Sequence, residues 1–299
     1  MMPAFAALAV ACLGIVAGWL VVPWASNVLL GRACRRADSW WDDSLRGYAE
    51  FKRAHAGSEP DGRASGLEGA LGIWRDDATA SALSGSLTDE RLRAMGEAGF
   101  EVEGLPSAGT DEERSRRFSV QAGRGQRLLC AVLLGASFCA AAFFAPNIGA
   151  AAALCMCVGA MAVALVCDLR ARTIPLEACA VLLLAGVLFQ AFAAGLEGVL
   201  CGVLAALALG GAAVGANRML RTRFPGGAIG RGDVRCMGAL AVATGSGAMC
   251  GFAACYALAG LAAVLGCAAK RIAWNDGVPM APFLAAWLAA GAATVLGAS

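Results

Sequence analysis

The sequence predicts an all-α polytopic membrane protein: a bundle of about eight transmembrane helices with a small cytoplasmic insert after the first. The 299 residues are 59% hydrophobic and 15% charged, with a mean hydropathy of +0.66, whereas soluble domains carry about 25% charged residues. Apolar runs long enough to cross a bilayer, ~20 residues, recur along the chain. The charge is concentrated in one segment, because residues 31–127 contain 15 Lys and Arg and 17 Asp and Glu.

This composition argues against several classes of protein. A formal net charge of +2 gives no whole-chain reason to expect nucleic-acid binding. The 13 cysteines include no C-x-x-C pair, and the single histidine, His55, lies in the polar segment. Zinc sites need clustered Cys and His, so we predict no metal and no cofactor, and we interpret the cysteines as small apolar packing residues.

The chain divides into three predicted parts. Residues 1–30 form the first transmembrane helix, because the apolar run is too long for a signal peptide and lacks a basic start. Residues 31–127 form the polar insert. Residues 128–299 form a membrane domain, rich in Gly and Ala, whose small side chains allow helices to approach closely in lipid.

The insert contains two segments with helical periodicity. Residues 40–55 carry aromatic and apolar side chains at roughly helical spacing behind Asp38 and Ser39, which predicts a capped amphipathic helix. Its aromatic face either packs in a core or lies on the membrane surface. A second short helix is predicted at 88–98, with Ser86 and Asp89 at capping-box spacing.

The membrane domain contains further apolar runs that we predict to be spans. These are 128–145, 149–167, 176–194, 197–216 and 279–298. The stretch 236–268 is long for one span and short for two, and Thr244-Gly245-Ser246-Gly247 interrupts it. Sequence length alone does not decide how often this stretch crosses.

Charge predicts the orientation, because Lys and Arg mark the cytoplasmic side. The arginines at 32–36 follow the first helix and place the insert in the cytoplasm. Lys270 and Arg271 belong on the same side only if 236–268 crosses twice or forms a short hairpin. That arrangement gives eight spans with both termini outside, whereas a single crossing gives seven.

Two acidic residues stand at predicted membrane boundaries on the cytoplasmic side. Asp168 ends the third span and is followed six residues later by Ile174-Pro175. Asp233 ends the string Gly230-Arg231-Gly232-Asp233 and is followed by Val234-Arg235 and an apolar run. An ionisable group at the edge of a membrane bundle is costly, so each residue is either a functional candidate or half of an interfacial ion pair.

Taken together, the two aspartates suggest acid–base chemistry. Two carboxylates held close together cannot both ionise at low cost, so one retains a proton. The protonated acid can donate to a scissile carbonyl while the ionised partner takes a proton from water. Gly230 and Gly232 leave room for a peptide backbone beside Asp233, and Pro175 fixes the turn after Asp168 and can open the next helix.

These motifs resemble those of the prepilin peptidases (type IV leader peptidases), which are GxGD-type intramembrane aspartic proteases. The similarity covers about 128–298. It includes the Asp168 and Asp233 motifs in their order along the chain, and the apolar, proline-containing segment 278–284, which resembles the family's entry to its final helix.

The resemblance implies that Asp168 and Asp233 are the catalytic pair. It implies cleavage of a prepilin or pseudopilin leader after its glycine, at the cytoplasmic face of a bacterial inner membrane, which releases a mature pilin with an apolar N-terminal helix. Gly230, Gly232, Arg235 and Pro175 are then expected to border the substrate, although the arginine also fits a role in topology.

The sequence departs from the family in several places. Arg235 stands where the family usually has lysine, and Leu176 follows the Ile-Pro pair where Asn or Asp is frequent. Larger members carry two C-x-x-C pairs in an N-terminal cytoplasmic domain that is linked to N-methylation, but the insert has only Cys34. We therefore expect a peptidase without methyltransferase equipment and without S-adenosylmethionine.

Three alternatives stay open. The first is another GxGD protease of the presenilin or signal-peptide-peptidase kind, although the nearest string to its Pro-Ala-Leu signature is Pro282-Phe283-Leu284. The second is a transporter that uses Asp168 and Asp233 as ion or proton sites. The third is a non-enzymatic subunit of a pilus or secretion machine.

Overall fold

The computed structural model describes residues 4–36, 93, 123–219, 229–269 and 279–298. Within these ranges the chain is almost entirely helical and has no β-strand. Six of its helical segments are long and apolar enough to cross a membrane, so the predicted all-α polytopic membrane fold is confirmed. The two helices predicted in the insert lie outside the described residues, apart from Arg93, which is helical.

The first helix, α1, begins as Ala4–Val16, passes through a π-helical turn at Ala17–Val21 and continues to Arg36. It therefore runs beyond residue 30, where the sequence suggested an end. The later helices are α2 (Arg124–Phe144), α3 (Ile148–Ala171), α4 (Leu176–Ala193), α5 (Gly195–Met219), α6 (Arg231–Thr244), α7 (Ala248–Ala268) and α8 (Ala281–Ala298). A 3₁₀ turn, Gly245–Gly247, separates α6 from α7.

The chain forms two compact units. The larger unit contains residues 1–26, 121–215 and 231–299 and therefore holds most of the membrane helices. The smaller unit contains 27–120 and 216–230. Its described part includes a bridge in which the Asn217 side chain donates to the Ile229 carbonyl at 2.8 Å and accepts from the Ile229 N–H at 2.8 Å.

Glycines set the helix packing in the larger unit. In α1, Gly14 and Gly18 have the G-x-x-x-G spacing, and a Cβ on Gly18 would lie 2.5 Å from the Cys130 carbonyl oxygen of α2. A Cβ on Gly186 of α4 would lie 2.7 Å from Ala243 of α6. Lipid does not drive apolar helices together, so this close backbone approach is a main source of their association.

Helix α3 lies at the centre of the larger unit. It packs against α2, α4 and α8, and 56% of its membrane-spanning window is buried inside the protein, against 17% for α5. Its start is fixed by Asn147, whose Oδ1 accepts from the Ala150 N–H at 2.8 Å while its Nδ2 donates to the Phe192 carbonyl at 2.8 Å. This cap joins the start of α3 to the end of α4.

Helices α6 and α7 fold back on each other as a hairpin. Gly245 has a φ of +51°, a left-handed conformation that favours glycine. The Tyr256 hydroxyl donates to Met237 Sδ at 3.6 Å although the two residues are 19 positions apart. In one straight helix these residues would be separated by about 28 Å, so the chain reverses between them.

The hairpin bears on the question that the stretch 236–268 raised. Helix α6 has 14 residues, fewer than the ~20 of a full span, whereas α7 has 21, and the reversal between them favours the predicted arrangement in which this stretch turns back. The start of α6 and the second half of α7 consequently lie towards the same end of the bundle.

Buried polar groups hold the hairpin turn inside the bundle. Trp287 Nε1 of α8 donates to Thr244 Oγ1 at 3.2 Å, and Thr244 Oγ1 donates to the Leu240 carbonyl at 2.7 Å. Gln190 Nε2 of α4 donates to the Ala243 carbonyl at 2.7 Å, which the break at Gly245 leaves without its helical partner. In lipid such a carbonyl needs an internal donor, so α4 and α8 together stabilise the end of α6.

Candidate functional site

Asp168 occupies the last turn of α3 and is buried, with 5% of its surface exposed. Its Oδ2 accepts a hydrogen bond from the backbone N–H of Ala281 at 3.0 Å, and the backbone N–H of Met280 also lies at this carboxylate. The first N–H groups of a helix have no partner within the helix. Asp168 therefore caps α8 from a helix 113 positions away in sequence.

The chain turns sharply after Asp168. Arg172 has a φ of 52° and a ψ of 37°, the left-handed conformation that is uncommon for residues other than glycine. Its N–H donates to the Asp168 carbonyl at 2.8 Å, and its charge acts on the Asp168 carboxylate. The buried Ile174 and then Pro175 follow, and α4 begins directly after Pro175, as the fixed φ of proline favours.

Asp233 lies in the first turn of α6, where it is half-buried. Helix α6 begins at Arg231, so Gly232 and Asp233 are helical, while Gly230 precedes the helix and is exposed. A Cβ on Gly232 would meet Ile174 at 3.4 Å, an ordinary contact distance. The start of α6 thus packs against the Ile-Pro turn that follows Asp168.

Both aspartates act electrostatically on the same residue of α6. Both carboxylates lie within electrostatic reach of the Cys236 thiol, which is fully buried. Asp233 is one helical turn before Cys236 on α6, and Asp168 reaches the same region from the end of α3. Three helix starts (α4, α6 and α8) and the end of α3 therefore meet at one end of the larger unit.

The remaining predicted residues have different positions. Arg235 is exposed on α6, and Arg170 on α3 donates to Gln126 Oε1 of α2 at 2.9 Å. Pro175 is buried within the turn. Gly230, Gly232, Arg235 and Pro175 all belong to the segments around the two aspartates, and Gly232 lies against Ile174 of the other motif.

Sequence reasoning missed two features of the site. One is the pair of backbone N–H groups at Met280 and Ala281; the prolines around them, at 279 and 282, were the signal of a helix start. The other is the thiol pair Cys179 and Cys236, which are hydrogen-bonded to each other between α4 and α6. Each cysteine lies one turn inside the helix that its motif opens, a spacing that could have indicated their proximity.

Among the residues that the structure describes, no group of three or more His, Cys, Asp or Glu side chains is arranged to hold a metal ion. The chemistry available at this end of the bundle is that of two carboxylic acids in different surroundings. Asp168 is buried and accepts backbone hydrogen bonds, whereas Asp233 is partly accessible. Carboxyl groups in unlike environments can divide the roles of acid and base.

Comparison with known proteins finds no relative: no protein-family model, no curated protein and no solved structure matches the chain.

Proposed function

We propose that this protein is a membrane aspartic endopeptidase that removes the leader peptide of type IV prepilin-like precursors. Cleavage follows the leader glycine at the cytoplasmic face of a bacterial inner membrane, and Asp168 and Asp233 are the catalytic residues. The observation that carries the proposal is that the start of α6 lies against the turn after Asp168: a Cβ on Gly232 would be 3.4 Å from Ile174. Both carboxylates also act electrostatically on Cys236.

The proposed reaction needs only the two acids and water. One carboxyl group donates its proton to the scissile carbonyl oxygen, and the other takes a proton from the water that attacks the carbonyl carbon. When the tetrahedral intermediate breaks its C–N bond, the departing amine takes the proton that the base removed from water, and the intermediate's hydroxyl returns its proton to the first carboxylate. Because two neighbouring carboxylates resist double ionisation, the pair can start each cycle with one proton.

The position of the two aspartates fits a transporter less well than it fits a peptidase. A transporter site of this kind normally lies near the membrane midplane on interrupted helices. Here the interrupted element is the α6–α7 turn, where Thr244 bonds to Leu240 and Trp287 and the side-chain nitrogen of Gln190 donates to Ala243, while Gln190 Oε1 is buried without a hydrogen-bond partner. The two acids instead lie at helix ends, where a polar leader and an apolar helix can meet.

The direct test is processing of a prepilin precursor by purified protein in lipid vesicles. We expect Asp168→Asn and Asp233→Asn each to lower the cleavage rate by at least about 10²-fold. Glu197→Gln is the matched control, because Glu197 is an exposed acid at the start of α5, and it should cleave at the wild-type rate.

Mass spectrometry of the products identifies the bond that is cleaved. Cleavage after the leader glycine supports the proposal, whereas cleavage inside the apolar helix would indicate another kind of GxGD protease. Processing at the wild-type rate by either Asn variant would exclude the catalytic pair.

A further inference from the structure

A long apolar groove runs along the membrane face of the larger unit between α2, α3 and α8. Its volume is about 680 Å³. Leu133 and Ala140 of α2, Leu165 of α3, and Ala285, Ala289 and Gly297 of α8 are among its lining residues. The lining is almost wholly apolar, so an occupant that carried charge into it would incur a high cost in the bilayer.

One end of the groove lies beside the candidate site. Leu165 precedes Asp168 by three residues on α3, and Ala285 follows Ala281 by four residues on α8, so both lie about one helical turn from the Asp168–Ala281 hydrogen bond. From there the groove continues along α8 to Gly297, which is a distance of about 18 Å. It therefore leads from the carboxylate into the membrane.

The α8 side of the groove is built from small residues. Ala285, Ala289, Ala293 and Gly297 follow one another at four-residue intervals and all line the groove. Such a row allows the backbone of another helix to approach closely. Ala289, Ala293 and Gly297 are exposed, so within the described residues no other helix covers this row.

We infer that this groove binds the apolar helix that follows the scissile bond of the precursor. The inference rests on the proposed function and assigns a substrate-binding surface to it. A precursor cut at Asp168 must continue into the membrane directly from the cleaved bond, which is the direction of the groove. The length also favours a helix, because about 18 Å exceeds the ~15 Å of one lipid leaflet.

Photo-crosslinking tests the contact without requiring catalysis. The photoreactive amino acid benzoylphenylalanine replaces Ala289 in an Asp233→Asn protein, which is mixed with intact precursor in vesicles. We expect a crosslink to the apolar helix of the precursor. The same substitution at Ala208, an exposed alanine of α5 outside the groove, should give none. A crosslink to lipid alone, or equal crosslinking from both positions, would overturn the inference.

A kinetic test uses side chains that fill the groove. Ala289→Leu should lower the rate of precursor processing about ten-fold or more, because displaced substrate reacts poorly, while Ala208→Leu should process at the wild-type rate. If wild-type protein processes the precursor but Ala289→Leu is equally fast, the groove assignment fails and the proposed function stands. If wild-type protein cleaves no precursor, the proposed function fails, and the crosslink alone decides whether the groove binds an apolar helix.

Discussion

At the scale of single residues, Asp168 combines two tasks. It is a candidate catalytic acid, and it is also the acceptor that holds the start of α8 through the Ala281 N–H. Loss of activity on substitution would therefore have two explanations, chemical or structural. The two can be separated because asparagine keeps an oxygen acceptor and alanine does not.

We expect Asp168→Ala to lower the free energy of unfolding by about 1–3 kcal/mol, since it leaves a buried backbone donor without a partner. Asp168→Asn should lose less stability while losing activity equally. Thermal unfolding of both variants in the same detergent checks this difference. Equal stability of the Ala variant and the wild type would show that the hydrogen bond to Ala281 contributes little.

At the scale of elements, the α6–α7 hairpin depends on glycines at its contacts with α8, one on α7 and one on α8 itself. A Cβ on Gly251 would lie 2.7 Å from the Trp287 carbonyl oxygen, and a Cβ on Gly291 would lie 2.5 Å from Thr244. These contacts accompany the hydrogen bond from Trp287 to Thr244. The turn is thus fixed by close packing as well as by its polar groups.

We expect Gly251→Leu to disrupt the packing of α7 against α8 and to lower stability by about 1–3 kcal/mol, because the added atoms overfill a close contact. Gly260→Leu on the same helix is the matched control, since a Cβ there meets nothing within 4 Å. Thermal unfolding again provides the measurement. Leucine has a higher helix propensity than glycine, so similar losses in both variants would mean that the contact with Trp287 does not determine the result.

Some helix boundaries could be predicted from the sequence, and others could not. The start of α4 was predictable, because Pro175 fixes its own φ and ends the preceding turn. The extension of α1 to Arg36 was not, since a charged turn can remain helical after the apolar run has ended. The helical state of Gly232 was also hidden, because a Gly-x-Gly string favours a loop until contacts such as the one with Ile174 override it.

The acidic residues of the site were predictable from the sequence, but the contacts that bring its segments together were not. Asp168 and Asp233 were visible as acids at membrane boundaries. The bond from Ala281 to Asp168 joins residues 113 positions apart, and the meeting of Cys179 with Cys236 depends on the register of α4 against α6. Local patterns carry no information about such distant pairings.

At the scale of the whole molecule, the hairpin predicts the topology of the last third of the chain. Because Tyr256 returns to Met237, the segment after α7 should lie on the same side of the membrane as the start of α6. A reporter fused after Lys270 should therefore report the cytoplasm. A reporter fused after Ala145, in the turn between α2 and α3, is the control and should report the opposite side; a signal from outside at Lys270 would restore the single crossing.

The composition of the insert leads to a prediction about the product. With Cys34 as the only cysteine in residues 31–127, the insert cannot build a domain with paired C-x-x-C motifs. We expect pilin that is processed by this protein alone to have an unmodified N-terminus. Intact-mass measurement of the processed pilin checks this, and an added methyl group would contradict it.

The hydrogen bond between Asp168 and Ala281 also couples the candidate catalytic carboxylate to the position of α8. A peptide or water molecule that engages Oδ2 shares this acceptor with the backbone N–H of Ala281 in α8. Binding at Asp168 and the packing of α8 are then coupled. The free energy by which binding changes the packing of α8 equals the free energy by which that packing changes binding. In the proposed peptidase, tension on the first turn of α8 would in this way adjust the affinity for a substrate that lies along the same helix.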